Sequence, residues 1–262
     1  MNDLGHLPLG SLMGGALSPL TDTEIAITSA ITLTQASIGR MHVCSGTSAA
    51  YTVGLPDVDG NAGKFIGFRM NNALTQLVTL QGNNSQNIDG QNTRVMWANE
   101  VAILYCDGAA WIKILGKSVP MTCVMKRTSA QSISSGVWTQ VQTTTSVSDP
   151  TGQMADTTNG RVVIQRSGNY QCSAYVGMSV VVANTQIAVV KNSAIPSDSP
   201  NAWGIFAQNG TSDSFGAVST FFGCSTNDWV APSIQQGSGS ARNTHTAATA
   251  LPTIAVLETP SW

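Results

Sequence analysis

From Ile31 onward the apolar residues fall in short alternating or continuous runs separated by turn chemistry, the pattern of a chain built from strands. The first series of predicted strands runs Ile31 to Thr34, Met41 to Cys44, Tyr51 to Leu55, Lys64 to Met70, Leu77 to Gln81, Val95 to Trp97, Val101 to Cys106 and Trp111 to Leu115. Turns separate them at Ser45-Gly46, Asp59-Gly60, Asn83-Asn84, Asp89-Gly90 and Asp107-Gly108. Asp-Gly suits a turn that needs positive φ, so Val101 to Ile114 reads as a hairpin across Asp107-Gly108. The rhythm pauses between Gly116 and Thr122, which places a domain boundary between 116 and 117. A second series follows: Val124 to Arg127, Val137 to Gln142, Arg161 to Ile164, Gly168 to Val176, Thr185 to Lys191, Ala217 to Phe222, Asp228 to Ile234 and Thr253 to Leu257. Its loops are long and soft, notably Asn192 to Asn201 and Gln235 to Ala248, a spacing that suggests a sandwich or jelly roll. The one helix-start signal is the capping-box pattern Thr21-Asp22-Thr23-Glu24, enough for a turn or two. With no long amphipathic period, any oligomer must form through the β domains.

Charge changes this picture most. Asp, Glu, Lys and Arg make up 10% of the residues, against roughly 25% in an ordinary soluble domain. Their place is taken by Thr, Ser, Asn, Gln and Gly, while 42% hydrophobic residues suffice for a core. A net charge of −2, with basic residues spread singly apart from Lys126-Arg127, offers no footprint for nucleic acid. The first twenty residues are apolar, yet no Lys or Arg precedes the stretch, and Gly5, Pro8, Gly10, Gly14 and Gly15 interrupt it. Those features argue against a signal peptide, and the stretch is too short and too interrupted for a membrane span. Residues 1–27 are therefore expected to form an arm whose Leu4, Leu7, Leu9, Leu12 and Met13 lie on another protein.

Candidate chemistry is sparse. Cys44, Cys106, Cys123, Cys172 and Cys224 have no CxxC spacing and an odd count, which reads as buried free thiols of a protein assembled in a reducing compartment. His6, His42 and His245 are isolated, and Asp57-Val58-Asp59-Gly60 departs from a calcium loop at once. Asp89, Glu100, Asp107, Asp156 and Asp228 are the acids available for paired-carboxylate hydrolysis. Most of them lie in turns, where Asp caps backbone donors. No Gly-x-Ser-x-Gly elbow occurs. The expectation is no enzyme: no catalytic residue, cofactor or metal. Trp97, Trp111, Trp138 and Trp229 lie in or beside predicted strands and suit a core or an interface. Trp203, in the predicted loop Ser199 to Gly204, is a candidate contact for a neutral ligand.

Several segments taken in order look familiar. Val53-Gly-Leu-Pro56, Asn61 to Phe68, Val78-Thr-Leu80, Asn87-Ile-Asp-Gly90 and Glu100 to Gly108 with Trp111 resemble a small β module of tailed-bacteriophage fibre and other virion proteins. Val137-Trp-Thr139, Arg161-Val-Val-Ile164, Ser167-Gly-Asn-Tyr170, Asn227-Asp-Trp-Val230 and Ile254-Ala-Val-Leu257 are similar to a C1q/TNF-like jelly roll, with Ile164 where that family usually has Phe. The resemblance implies an all-β chain divided into an arm (1–27), a small β module (28–116) and a jelly-roll domain (117–262). It implies a homotrimeric short fibre or spike, assembled in the cytoplasm of a bacterial host and located in the virion. The arm would dock on other virion proteins of tail or capsid, and the C-terminal domain would contact a host-surface glycan or protein. The alternatives are a capsid decoration (cement) protein with no receptor role and, ranked last, a glycan-cleaving tail enzyme.

Overall fold

The first strands form because Ile and Phe alternate with small or polar residues over runs too short and too β-branched for helices. The computed structural model describes residues 24–46, 48–179, 185–193, 202–208, 214–246 and 251–259, with backbone alone for 202–208, 214 and 215. Leu4, Leu7, Leu9, Leu12, Met13 and most of the Thr21 to Glu24 helix signal lie outside them. Among the described residues the chain is nearly all β, with two short 3₁₀ turns at Gln35–Ser37 and Asn83–Ser85. It divides into two compact units between Val119 and Pro120.

In the first unit the chain makes three successive passes through two sheets. The passes are β1 (Ile25–Ile27) then β2 (Ile31–Thr32), β3 (Met41–Cys44) then β4 (Tyr51–Gly54), and β5 (Phe65–Met70) then β6 (Val78–Gln81). Equivalent strands pair in parallel, β1 with β3 with β5 and β2 with β4 with β6. The chain then reverses: β7 (Thr93–Met96), β8 (Val101–Cys106) and β9 (Trp111–Lys117) pair antiparallel with β6, β5 and β8. The sheet orders are β1-β3-β5-β8-β9 and β2-β4-β6-β7. Alternation alone does not distinguish parallel from antiparallel neighbours, so these rungs were not expected. Ile25–Ile27, assigned to the arm on sequence grounds, is the edge strand β1, and the adjacent Glu24 pairs with Arg69 on β5 at 2.8 Å.

In-register pairing stacks like on like in the core. Ile27, Cys44 and Met70 form one column, and Ile25, His42, Phe68 and Ala102 another. The Asp107-Gly108 hairpin forms as expected, with Asp107 Oδ1 accepting from the N–H groups of Ala109 and Ala110 and Gly108 at φ 99°. At Gly116 a Cβ would fall 2.0 Å from the Val101 carbonyl oxygen, so only glycine fits against β8 there. Trp111 is fully buried and donates its indole N–H to Pro56 O.

The second unit is antiparallel throughout its strand ladders. Its elements are β10 (Thr122–Lys126), β11 (Ser132–Ile133), β12 (Thr139–Gln140), β13 (Thr145–Ser148), β14 (Ala155–Asp156), β15 (Arg161–Val163), β16 (Gly168–Met178), β17 (Thr185–Lys191), β18 (Ala202–Gln208), β19 (Ser214–Cys224), β20 (Trp229–Gln235), β21 (Arg242–Asn243) and β22 (Thr253–Thr259). One sheet runs β13-β10-β22-β16-β19 and the other β14-β15-β20-β17-β18, with β12 also on β20. Numbering the eight long-range strands β10, β15, β16, β17, β18, β19, β20 and β22 in chain order gives sheets 1-8-3-6 and 2-7-4-5. That order is a jelly roll. Ile133, Val141, Val176, Met178, Ile187 and Ile234 form a core cluster within it.

All five cysteines are buried and unpaired. Burial pushes the Cys44 and Cys123 thiols up to about 12 and Cys224 up to about 11, which leaves them inert as nucleophiles.

His42 is the polar exception in the first core. It is fully buried, stacked on Phe68 at 5.5 Å between ring centroids, and its Nδ1 lies 3.2 Å from Gly67 O. A carbonyl only accepts, so Nδ1 carries the proton, and Nε2 has no hydrogen-bond partner. Burial lowers the His42 pKa below its ordinary 6.5; the bond to Gly67 O opposes this and the nearby Arg40 adds to it. The unfolded chain therefore takes up this proton first. Stability is undiminished above pH 6.5 and falls as the pH drops from there towards the folded-state value, by at most about 1.4 kcal/mol per pH unit. The His42→Leu chain should lose less stability between pH 7 and pH 5 than the parent, as measured by calorimetry; equal losses would contradict this assignment.

Candidate functional site

Four long strands of the β13-β10-β22-β16-β19 sheet bury every second side chain and turn the rest outward. Cys123, Met125, Tyr170, Cys172, Ala174, Val176, Phe222, Ile254 and Val256 face the core and are buried. The pairing registers then place the outward residues in lateral rows: Thr122, Leu257, Gln171 and Phe221 in one, Val124, Ala255, Ser173 and Ser219 in the next, Lys126, Thr253, Tyr175 and Ala217 in a third. Phe221 is 65% exposed and Leu257 43%. Lys126, at one margin, is the charged member of these rows. Ser173 and Ser219 hydroxyls lie 2.8 Å apart, so their polar groups are engaged within the chain. A shallow depression crosses the face over Ser173, Tyr175, Ala217 and Thr253. The outcome is a broad, neutral, partly apolar sheet surface with nothing of this chain described on top of it.

No protein-family model matches the sequence, and neither does any curated protein. Among solved structures the chain is similar to TNF- and C1q-type domains. Murine APRIL at pH 8.0 aligns at TM-score 0.42 with 10% identity, covering 54% of this chain and 100% of that one. Eiger TNF from S. frugiperda gives 0.39, 9%, 55% and 94%, and the globular domain of zebrafish complement 1qA gives 0.36, 12%, 53% and 94%. The jelly-roll assignment rests on the strand order of the second unit itself.

The acids considered for hydrolysis are each committed locally. Asp89 accepts from Lys113 N–H and pairs with Arg94; Glu100 is buried and accepts from the N–H groups of Trp97 and Val119. The turn N–H of Ala109 and then of Ala110 hold Asp107 below the usual carboxylate range. Burial opposes ionisation of Asp156 and Asp228, but hydrogen bonds from Asn159 and Asn192, with Arg161 and Lys191 beside them, bring both below the usual value. Asp57 Oδ1 accepts from Asp59 N–H, the geometry of a turn. Among the described residues no group of three His, Cys, Asp or Glu side chains could hold a metal.

Trp97 and Trp111 are buried. Trp138 and Trp229 are half-buried against Ala188, Val190 and Ala231, and the Arg161 guanidinium lies 5.0 Å from the Trp229 ring centroid. Trp203 does not lie in a loop: its backbone is in β18, opposite Val189 on β17. The misreading arose because Pro200, Asn201 and Gly204 surround it with turn-forming residues. The strand reading also left Phe221 and Leu257 unmarked. The signal was present, since Phe221-Phe222 in an alternating run must place one ring outside.

Among the described residues the most buried ion pair lies where β16 begins and β22 ends. Arg166 and Glu258 pair through two guanidinium nitrogens with side chains 11% exposed, the Nε to Oε1 contact at 2.9 Å. Glu258 Oε2 also accepts from Met121 N–H, and Tyr170 Oη donates to Arg166 O at 2.6 Å. The arrangement ties three chain segments together and leaves the carboxylate fully engaged, so it is a clamp. Arg166→Ala should destabilise the second unit by about 3 kcal/mol, because it strands a buried carboxylate, whereas Arg166→Met with Glu258→Met should cost less than that single change. Urea denaturation of the variants measures both.

Proposed function

We propose that this chain is a bacteriophage virion protein, a homotrimeric short fibre or spike in which the second unit's neutral sheet face joins the copies. The observation that carries this reading is that face: Phe221 and Leu257 stand exposed in a row without charge, and burying such side chains is worth about 1.5–3 kcal/mol each. Large apolar patches rimmed by polar residues mark association surfaces. The resemblance of the first unit to a virion β module and of the second to a C1q/TNF-like jelly roll supports the setting, with the arm through Leu4, Leu7, Leu9, Leu12 and Met13 docking on tail or capsid proteins. The far end of the jelly roll then presents itself to a host-surface glycan or protein, with avidity from three copies. Engagement of Asp89, Glu100, Asp107, Asp156 and Asp228 by backbone groups and cations favours attachment over glycan cleavage.

Light scattering on the purified chain should give three times the monomer mass, and Phe221→Glu or Leu257→Glu should give folded monomers, since both positions are exposed in the single chain. A monomeric parent, or trimers that tolerate both changes, would overturn the assembly. Deletion of residues 2–20 should leave soluble trimers that fail to enter particles. Electron microscopy of intact particles separates a tail spike from a capsid decoration protein by position.

A further inference from the structure

The β1-β3-β5-β8-β9 sheet of the first unit also has an outer face, and two adjoining rows of it are apolar or aromatic. The register places Phe65, Tyr105 and Ile112 in one row, with the two aromatic rings 5.2 Å apart. Met41, Ile103 and Leu115 share the next row with Gly67, where a Cβ would come 2.8 Å from Met41 Cε. Met41 therefore lies across the glycine and levels the surface. Leu115 is 64% exposed, Ile114 53% and Ile112 37%. Charge enters in the row beyond, where Arg69, Val101 and the exposed Lys117 align at the strand ends and Arg69 is paired with Glu24; Lys113 donates its ammonium to Ser118 Oγ.

We propose that this face is a second interface between copies of the chain, packing against the same unit of a neighbouring copy. The inference rests on the trimer reading above and extends it to the other half of the molecule. Size argues for it. Five strands at about 4.8 Å spacing, with outward residues over roughly 15–20 Å of strand, give a face of about 400 Å². The second unit's face, in which β16 and β19 each run 11 residues, comes to about 600 Å², and a stable interface needs about 800 Å² per partner. Neither face reaches that alone, whereas the two together do. Chain continuity supplies the rest. Ser118 to Met121 separate the last residue of β9 from the first of β10, and four residues span at most about 14 Å. Copies joined at the second unit hold their first units at high effective concentration, so a modest apolar face becomes occupied.

The test uses the full chain with Leu115→Cys, and with Ala73→Cys in an exposed turn as the reference. The native thiols are buried, so the introduced one reports alone. In the trimer, maleimide should label the Leu115→Cys thiol at least tenfold more slowly than the Ala73→Cys thiol, and equally fast once the trimer is dissociated by Phe221→Glu. Ile112→Glu with Leu115→Glu should raise the concentration at which trimers dissociate at least tenfold. A trimer in which both thiols react alike, or whose dissociation is unchanged by the double variant, overturns this interface and leaves the trimer reading standing, even if the face becomes covered in particles. A parent chain that is monomeric at all concentrations overturns both.

Discussion

A β-sheet satisfies its own backbone but always has two faces, and two packed sheets bury only one face of each. That constraint organises both halves of this protein. In the second unit β16 pairs with β19 without interruption from Gly168 opposite Cys224 to Met178 opposite Ser214, and with β22 on its other side. A slip of one residue would drive Tyr170, Cys172, Ala174 and Val176 into water, so the core fixes the register. The outward set is then determined too. Gln171, Ser173 and Tyr175 face out because their neighbours face in, and Phe221 is outside because Phe222 is inside.

The scarcity of charge takes on a spatial meaning in this arrangement. The described ionic groups are concentrated at turns and strand ends: Asp107 in its hairpin, Asp149 accepting from Met154 and Ala155 N–H, Asp228 on Ser225 N–H, and Arg166 with Glu258 at the sheet end. Glu100 and Glu258 hold the N–H groups of Val119 and Met121, on either side of Pro120, which has none to hold. Charge fixes the irregular backbone, and the middle rows of the open sheet faces hold mainly Thr, Ser, Ala, Gln, aromatic and aliphatic residues.

The sequence was most legible where alternation and turn chemistry agree. Met41–Cys44, Val101–Cys106 and Thr185–Lys191 are strands with the expected bounds, and Asp107-Gly108 closes the expected hairpin. Ends such as Ser214 and Met178 were clipped, because small and polar residues continue a ladder without announcing it. Parallel stacking of the first three passes was invisible: the same apolar runs serve either pairing, and the connection lengths carry no marker. β1 was lost to the arm because three residues show no period, and β18 was lost because turn formers flank Trp203. The outer sheet faces were half legible. Their neutrality was in the composition, but their location depended on register, which a single strand read alone does not contain.

Neutral faces of this kind suit association for a reason beyond apolar area. Joining two charged surfaces strips water from ions, and imperfect pairing then costs several kcal/mol. Here the polar groups arrive already engaged: Ser173 with Ser219, and Gln171 Nε2 with the same Ser219 hydroxyl at 3.4 Å. A hydroxyl that finds its partner within its own sheet loses little on leaving water, so in the proposed interface the neighbouring Leu257, Ala255 and Phe221 would contribute their burial nearly undiminished. Such contacts also depend weakly on salt, since screening acts on charges and these rows hold almost none. In the proposed trimer, many small neutral contacts replicated over identical copies would add up to a firm assembly of chains that carry little electrostatic identity of their own.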